Sequence, residues 1–291
     1  MNLGFIGLGR LGIPVALNLL EENKQLYIYN RTSSKMEALV AKGATACNSI
    51  KELASKCDIV FTLVSDDAAI NEITLNEDGI AANLKQGGIH VSISTISPSA
   101  SEKLAEHHAS LNQYYVAAPV MGRPTAAEAR KLNFLVSGNL DAIQKIKPYL
   151  LQAGGEGIWE FGEKASLANV AKLCNNFLII SAIESMAEAM RMAEKSGLDK
   201  QQWINMITNS LFSAPIYRTY SELLLNETYL PAQFYLKLGL KDINLALQQA
   251  SNVQTPMPVG EQLKKQINTS IEKGYGEYDQ TAIALALDKE S

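Results

Sequence analysis

Apolar residues in the first half of the chain come in short runs, each followed by a turn and then by a stretch of helical period. The run Asn2–Ile6 enters Gly7-Leu8-Gly9-Arg10-Leu11-Gly12. Beyond it, Leu11, Val15, Leu19 and Leu20 are apolar while Asn18, Glu21 and Glu22 are polar, the spacing of an amphipathic helix. The alternation continues with a strand over 25–29, a helix over 34–42 stopped by Gly43, and a helix over 49–56 starting from Ser49. Residues 58–64 and 88–93 read as buried strands from their β-branched and apolar content. Strands over 114–117 and 133–137 and a helix over 139–151 follow, and the glycine-rich stretch 152–157 closes the pattern. Strands alternating with helices predict an α/β, Rossmann-like domain with a parallel sheet.

The pattern changes after Gly162. No Pro or Gly interrupts the chain before Gly197, which predicts one helix over 166–196, far longer than the ~11–12 residues of an average helix. Helical segments alone follow, over 199–209, 214–226, 234–252 and 257–274, punctuated by Pro215, Pro231, Pro256 and Pro258. The break predicts a Rossmann-like domain over 1–163 and an all-α domain over 164–291, joined by the long helix. The first half of that helix is apolar on nearly every face and is expected to have protein on all sides. Yet Asn169, Lys172 and Asn176 share one face, with Asn175 beside them. Removing an ammonium and three amides from water is costly unless they are paired or used, so the stripe is a candidate site.

Composition narrows the function. An apolar share of 47% and a charged share of 19% describe an ordinary globular protein. A net charge of −4 without a basic run gives no nucleic-acid footprint. No uninterrupted apolar stretch reaches the ~18 residues of a membrane span, and the N-terminus lacks the flank and cleavage site of a signal peptide. Cys47, Cys57 and Cys174 are scattered and read as buried thiols, which points to a reducing, cytoplasmic location. The chain cannot assemble a Cys/His set for zinc, and no metal is expected.

The glycine motif supplies candidate chemistry. In a strand–turn–helix context, Gly7 permits the tight turn, Gly9 lets the backbone approach a pyrophosphate, and Gly12 lets the helix pack on the strand. Leu8, Arg10 and Leu11 lie in the same loop, and the free N–H groups of the helix start face the phosphates. A site for NAD(H) would place a carboxylate after the second strand. Here Asn30-Arg31-Thr32-Ser33 stand instead. Arg31 suits a 2′-phosphate, with Asn30, Thr32 and Ser33 as further donors, so NADP(H) is preferred and NAD(H) remains possible. Leu63, Val64, Ser65, Ser94 and Thr95 fall at strand ends, where open α/β sheets bind ligands.

The acid–base group is narrowed by exclusion. None of the 11 tyrosines has a lysine four positions later, as a short-chain dehydrogenase requires. His107 and His108 lie on a polar helix and His90 begins a buried strand, so all three read as structural or solvated. Lys172 remains. A lysine in an apolar cleft is expected to have its pKa lowered from about 10.4 toward neutrality, as proton transfer at physiological pH requires.

Taken together, the pieces GFIGLGRLG at 4–12, NRT at 30–32, STISP at 94–98, APV-M-G-R at 118–123, K-x-x-N-N at 172–176 and F-x(6)-K-D ending at Asp242 resemble the β-hydroxyacid dehydrogenase family. That family includes 3-hydroxyisobutyrate dehydrogenase, tartronate semialdehyde reductase and glyoxylate/succinic semialdehyde reductase. The resemblance implies that Lys172 is catalytic, that Asn176 positions substrate, that Ser94 and Thr95 lie near the nicotinamide and its ribose, and that Lys241 reaches over the cofactor. It also implies a homodimer or homotetramer acting on a small carboxylate-bearing carbonyl or alcohol. The chain departs from the family at Met121-Gly122-Arg123, where Ser-Gly-Gly is usual. Met121 loses a hydroxyl, Gly122 keeps a permissive backbone position, and Arg123 is either a carboxylate clamp or an outward loop charge. Ser92 stands where the family often has Asp. Two rivals are an imine reductase-like enzyme, a group that usually lacks the lysine at position 172, and a non-catalytic NADP(H)-binding interaction protein.

Overall fold

The computed structural model describes residues 1–23 and 25–287; Lys24 and the last four positions of the expected 164–291 domain lie outside the described residues. Two compact units form, Met1–Lys172 and the residues from Leu173 on. The division falls inside the long helix Ser166–Lys195, which therefore contributes to both.

Among the described residues the first unit is built on nine strands: β1 Leu3–Ile6, β2 Tyr27–Tyr29, β3 Thr45–Ala46, β4 Ile59–Thr62, β5 Ile89–Ser92, β6 Tyr114–Ala117, β7 Val120–Met121, β8 Leu132–Gly138 and β9 Gly155–Glu160. Their order is β3-β2-β1-β4-β5-β6-β8-β7, with β9 paired to β8. The run from β3 to β6 is parallel. β8 runs antiparallel to β6 and β7 and parallel to β9. The order 3-2-1-4-5-6 reverses between β1 and β4, which puts the ligand crevice at their carboxyl ends. β1, β4 and β5 are buried along their whole length, as parallel strands covered on both faces must be. Phe5, Phe61, Val91, Val116 and Phe134 anchor one face, and Ile6, Leu53, Val60 and Ile80 pack another.

The α/β architecture expected for this half is present. Several short elements had no strong pattern of their own: β3, β7, β9 and the helices Asp67–Leu75 and Pro124–Glu128. β9 begins inside the glycine-rich stretch 152–157 and takes its last three residues. Gly155 and Gly157 have no room for a Cβ, which would lie 2.8 Å from Leu150 O and 2.4 Å from Asn133 Oδ1. Close packing rather than turn formation explains these glycines.

The second unit is helical: Lys200–Thr208, Pro215–Leu225, Leu236–Asn252 and Pro258–Ser270, with a 3-10 segment at Gln280–Leu287. Ile180, Ile183, Met186, Leu224, Leu236, Ile243, Leu263 and Ile267 form its core. One expectation is corrected here. The long helix is not enclosed on all sides: Leu178 is 64% exposed, Leu167 is 39% exposed and Cys174 is exposed. Burial depends on which faces find partners, and apolar content alone does not decide that. By length and overall composition alone this helix could cross a membrane, although polar residues interrupt its apolar run. It nevertheless carries Lys172 and Glu184 and sends Ile180, Ile183, Met186 and Met190 into the core of the second unit.

Candidate active site

The glycine loop leaves β1 in a conformation only glycine tolerates. Gly7 has φ +103, and a Cβ there would lie 2.2 Å from Leu63 O; one at Gly12 would lie 2.1 Å from Gly7 O. Strand, turn and helix are therefore in backbone contact, while nothing lies within 4 Å of a Cβ built on Gly9. A packed turn with one open glycine and a helix N-terminus behind it fits a pyrophosphate. Leu8 is buried and donates its N–H to Asn30 Oδ1 at 2.9 Å, while Asn30 Nδ2 donates to Thr32 O at 2.9 Å. Leu8 and Asn30 thus brace the loop against the exit of β2, and Asn30 spends its oxygen and one N–H there. Arg10, Arg31 and Thr32 are exposed, and Leu11 is half-buried.

The exits of β4 and β5 are stitched together. Ser94 is buried and its Oγ accepts the Val64 N–H at 2.8 Å. Asp67 accepts from both the backbone N–H and the hydroxyl of Ser97. Asp66 caps the helix Asp67–Leu75 by accepting from Ala69 N, and Ser65 Oγ donates to Asp66 Oδ2 at 2.8 Å. Leu63 and Thr95 are half-buried in these same exits. The Asp66–Asp67 clamp was missed by the sequence reading; Ser-Asp-Asp ahead of an amphipathic run was the available signal.

Met121 sits in β7 opposite Asn133, and Gly122 turns the chain at φ +142, where a Cβ would meet Leu132 Cδ2 at 2.5 Å. Arg123 is half-buried, with extended backbone at the N-cap of the helix Pro124–Glu128, and makes polar contacts of its own.

On the long helix Asn169, Lys172 and Asn176 are all buried, at 1%, 9% and 7% exposure. The amphipathic helix Leu236–Asn252 explains part of this stripe within the second unit. Asn176 Nδ2 donates to Asp242 Oδ2 at 2.6 Å, and the Lys241 ammonium stands 3.3 Å from Asp242 Oδ1 as an ion pair. Asp242 is 3% exposed, so a carboxylate on the buried side of that helix joins two of the candidate residues. The sequence reading named Lys241 and passed over Asp242, although a charge among apolar positions was the available signal. The hydrogen bond fixes the Asn176 amide with its oxygen left as an acceptor.

Two of the histidines set aside as structural or solvated are buried and linked. Gln113 Nε2 donates to Ala81 O and Leu84 O, so Gln113 Oε1 accepts from His108 Nδ1 at 2.7 Å. His108 Nε2 then accepts from His90 Nδ1 at 2.9 Å, and His90 Nε2 from the Thr62 hydroxyl at 2.9 Å. Burial pushes His108 down to about 4 and His90 well below the usual imidazole range. Both are structural and neutral.

Residues 2–162 match the family model of the NAD binding domain of 6-phosphogluconate dehydrogenase. Residues 167–287 match that of the NAD-binding region of NADP-dependent 3-hydroxyisobutyrate dehydrogenase. The uncharacterized oxidoreductase YfjR of Bacillus subtilis is 41% identical over 97% of this chain and 98% of its own. The 2-(hydroxymethyl)glutarate dehydrogenase of Eubacterium barkeri is 29% identical over 97% and 93%. Among solved structures, the 3-hydroxyisobutyrate dehydrogenase of Mycobacterium tuberculosis with L-serine gives a TM-score of 0.89 at 22% identity, over 99% of both chains. An imine reductase from Pseudomonas sp. covers 99% of both chains at a TM-score of 0.63 and 20% identity. With the glycine loop in place at the switch point of the sheet, these matches define an NAD(P)-dependent oxidoreductase acting on hydroxyl groups of hydroxy acids. The chain belongs to the β-hydroxyacid dehydrogenase family.

Proposed function

We propose that the protein interconverts a small β-hydroxy acid and the corresponding semialdehyde or keto acid, prefers NADP(H), and uses Lys172 as general acid and base. The observation that carries this reading is a buried lysine one helical turn from a buried, oriented asparagine. The bound nicotinamide supplies hydride to the carbonyl carbon or accepts it from the alcohol carbon. In reduction, the Lys172 ammonium gives a proton to the oxygen that gains charge; in oxidation, the neutral amine takes the hydroxyl proton, which is released as the net proton of the reaction. Asn176, Gly122 and Arg123 hold the substrate carboxylate, with Met121 shaping the loop. Arg31 and Thr32 would hold the 2′-phosphate, the glycine loop the pyrophosphate, and Leu63, Val64, Ser65, Ser94, Thr95 and Lys241 the nicotinamide half.

Residues 1–163 serve the cofactor and 164–291 the substrate and assembly, as a homodimer or homotetramer in the cytoplasm. The exposed apolar positions of the long helix and the unlinked thiols of Cys47 and Cys57 support those two points. The test is a panel of hydroxy acids, semialdehydes and imines assayed with NADPH/NADP+ and NADH/NAD+ in parallel. Lys172→Ala should lose about 10²–10⁴-fold in kcat while binding NADPH as the wild type does. Turnover confined to imines, or wild-type turnover in Lys172→Ala, would defeat the reading. Cofactor binding without turnover of any compound would favour the interaction-protein alternative.

A further inference from the structure

We propose that Asn169 is a positioning residue for Lys172: in the complex with substrate its amide oxygen accepts an N–H of the Lys172 side chain and aims the catalytic proton or lone pair at the substrate. The inference rests on the reading of Lys172 given above.

Asn169 is 1% exposed, and its Nδ2 donates to Ile96 O at 3.4 Å, in the segment that follows β5. That bond fixes which end of the amide is oxygen. Asn169 Oδ1 is then a buried acceptor that receives no hydrogen bond in the folded chain, an arrangement folded proteins rarely keep without a use. Lys172 lies three residues on, on the same helical face. Helical side chains lean toward the N-terminus, so the Lys172 stem runs back over the turn that Asn169 occupies.

The chemistry matches the atom. A neutral lysine amine has two N–H donors and one lone pair, and an acceptor that holds an N–H turns the lone pair toward the substrate. An amide oxygen does this without the charge that would retain the proton. Asn175 cannot substitute, since its buried atom without a partner is the donor Nδ2. Glu102 pairs with Lys164 and accepts from Ser166, and Asp67 accepts from Ser97.

The experiment uses the full chain labelled with ¹³C-lysine, and Lys172→Arg assigns the Lys172 ε-carbon resonance. Its titration midpoint is compared in wild type, Asn169→Asp and Asn169→Leu. A carboxylate at 169 should raise the midpoint by about one pH unit, because it stabilises the ammonium. Leucine should lower it, because the acceptor is gone. The rising limb of kcat/KM for oxidation should move in the same directions, with the NADP+ dissociation constant changed less than about threefold. Unmoved midpoints in both variants, with lower thermal stability, would reduce Asn169 to a tie between the helix and the β5 exit. If Lys172→Ala keeps wild-type turnover, the reading of Lys172 fails and this inference falls with it. If only the Asn169 variants leave the titration unmoved, the inference alone fails.

Discussion

Arg31 carries the proposed preference for NADP(H). It is exposed at the exit of β2, where no carboxylate stands to meet a ribose 2′-hydroxyl. A planar guanidinium is matched to a phosphate and indifferent to a hydroxyl. Arg31→Ala should weaken NADPH binding about 10–100-fold and leave NADH binding within about twofold, as fluorescence titration would show. Equal losses for both would remove Arg31 from the specificity assignment. Glu184 shows the opposite case, a carboxylate whose setting opposes its charge. It is 6% exposed and Oε2 has no hydrogen bond; burial raises it to about 7, while Gln266 at 3.2 Å pulls the other way. Its folded pKa exceeds the unfolded value near 4.5, so the stability it contributes is fully present below about 4.5 and is lost as pH rises through 7. Glu184→Gln should therefore gain on the wild type by roughly 3 kcal/mol above pH 8. Urea melts at pH 5 and pH 8 would measure this; an equal difference at both would refute it.

Among the elements, loops at the carboxyl edge of the sheet are held by specific residues and are not left to slack. Gly7 and Gly12 make the first turn possible, Ser94 and Asp67 bind two exits together, and Gly122 turns the chain after β7. At Gly122 any side chain meets both a positive φ and the Leu132 methyl at 2.5 Å. Gly122→Ala should cost about 1–3 kcal/mol in stability and raise KM more than it lowers kcat. Thermal denaturation with steady-state kinetics checks this, and an unchanged melting temperature with unchanged KM would contradict it. The long helix is the element whose character was read least completely. Its polar stripe is visible from spacing alone, whereas its exposed face at Leu167, Cys174 and Leu178 is not.

For the molecule as a whole, the two units set different limits on pH stability. In the first, His90 and His108 are neutral in a closed hydrogen-bond chain with Thr62 and Gln113. A histidine with a lowered folded pKa contributes stability above the unfolded value of about 6.5 that is lost as pH falls toward 4. The acid limb should therefore originate in the first unit and the alkaline limb, through Glu184, in the second. His108→Gln, which removes the titrating imidazole, should flatten the acid limb between pH 6.5 and 4. Melting followed by hydrogen exchange would assign each limb to its unit, and acid-side opening confined to residues after Leu173 would overturn the assignment.

The sequence by itself determined the α/β-then-helical architecture, the cofactor loop, the candidate lysine and the family. Each depends on local spacing: alternation of strand and helix, glycine at positions where the backbone must turn or touch, and i, i+3, i+7 recurrence along one helix. Tertiary structure decided what those patterns leave open. It joined Asn176 to Asp242 across 66 positions of chain, and it linked His90 to His108. It also left Asn169 Oδ1 and Glu184 Oε2 buried without a donor. Whether a polar side chain is satisfied depends on which atoms of distant segments arrive beside it, and no periodicity within a segment encodes that arrival.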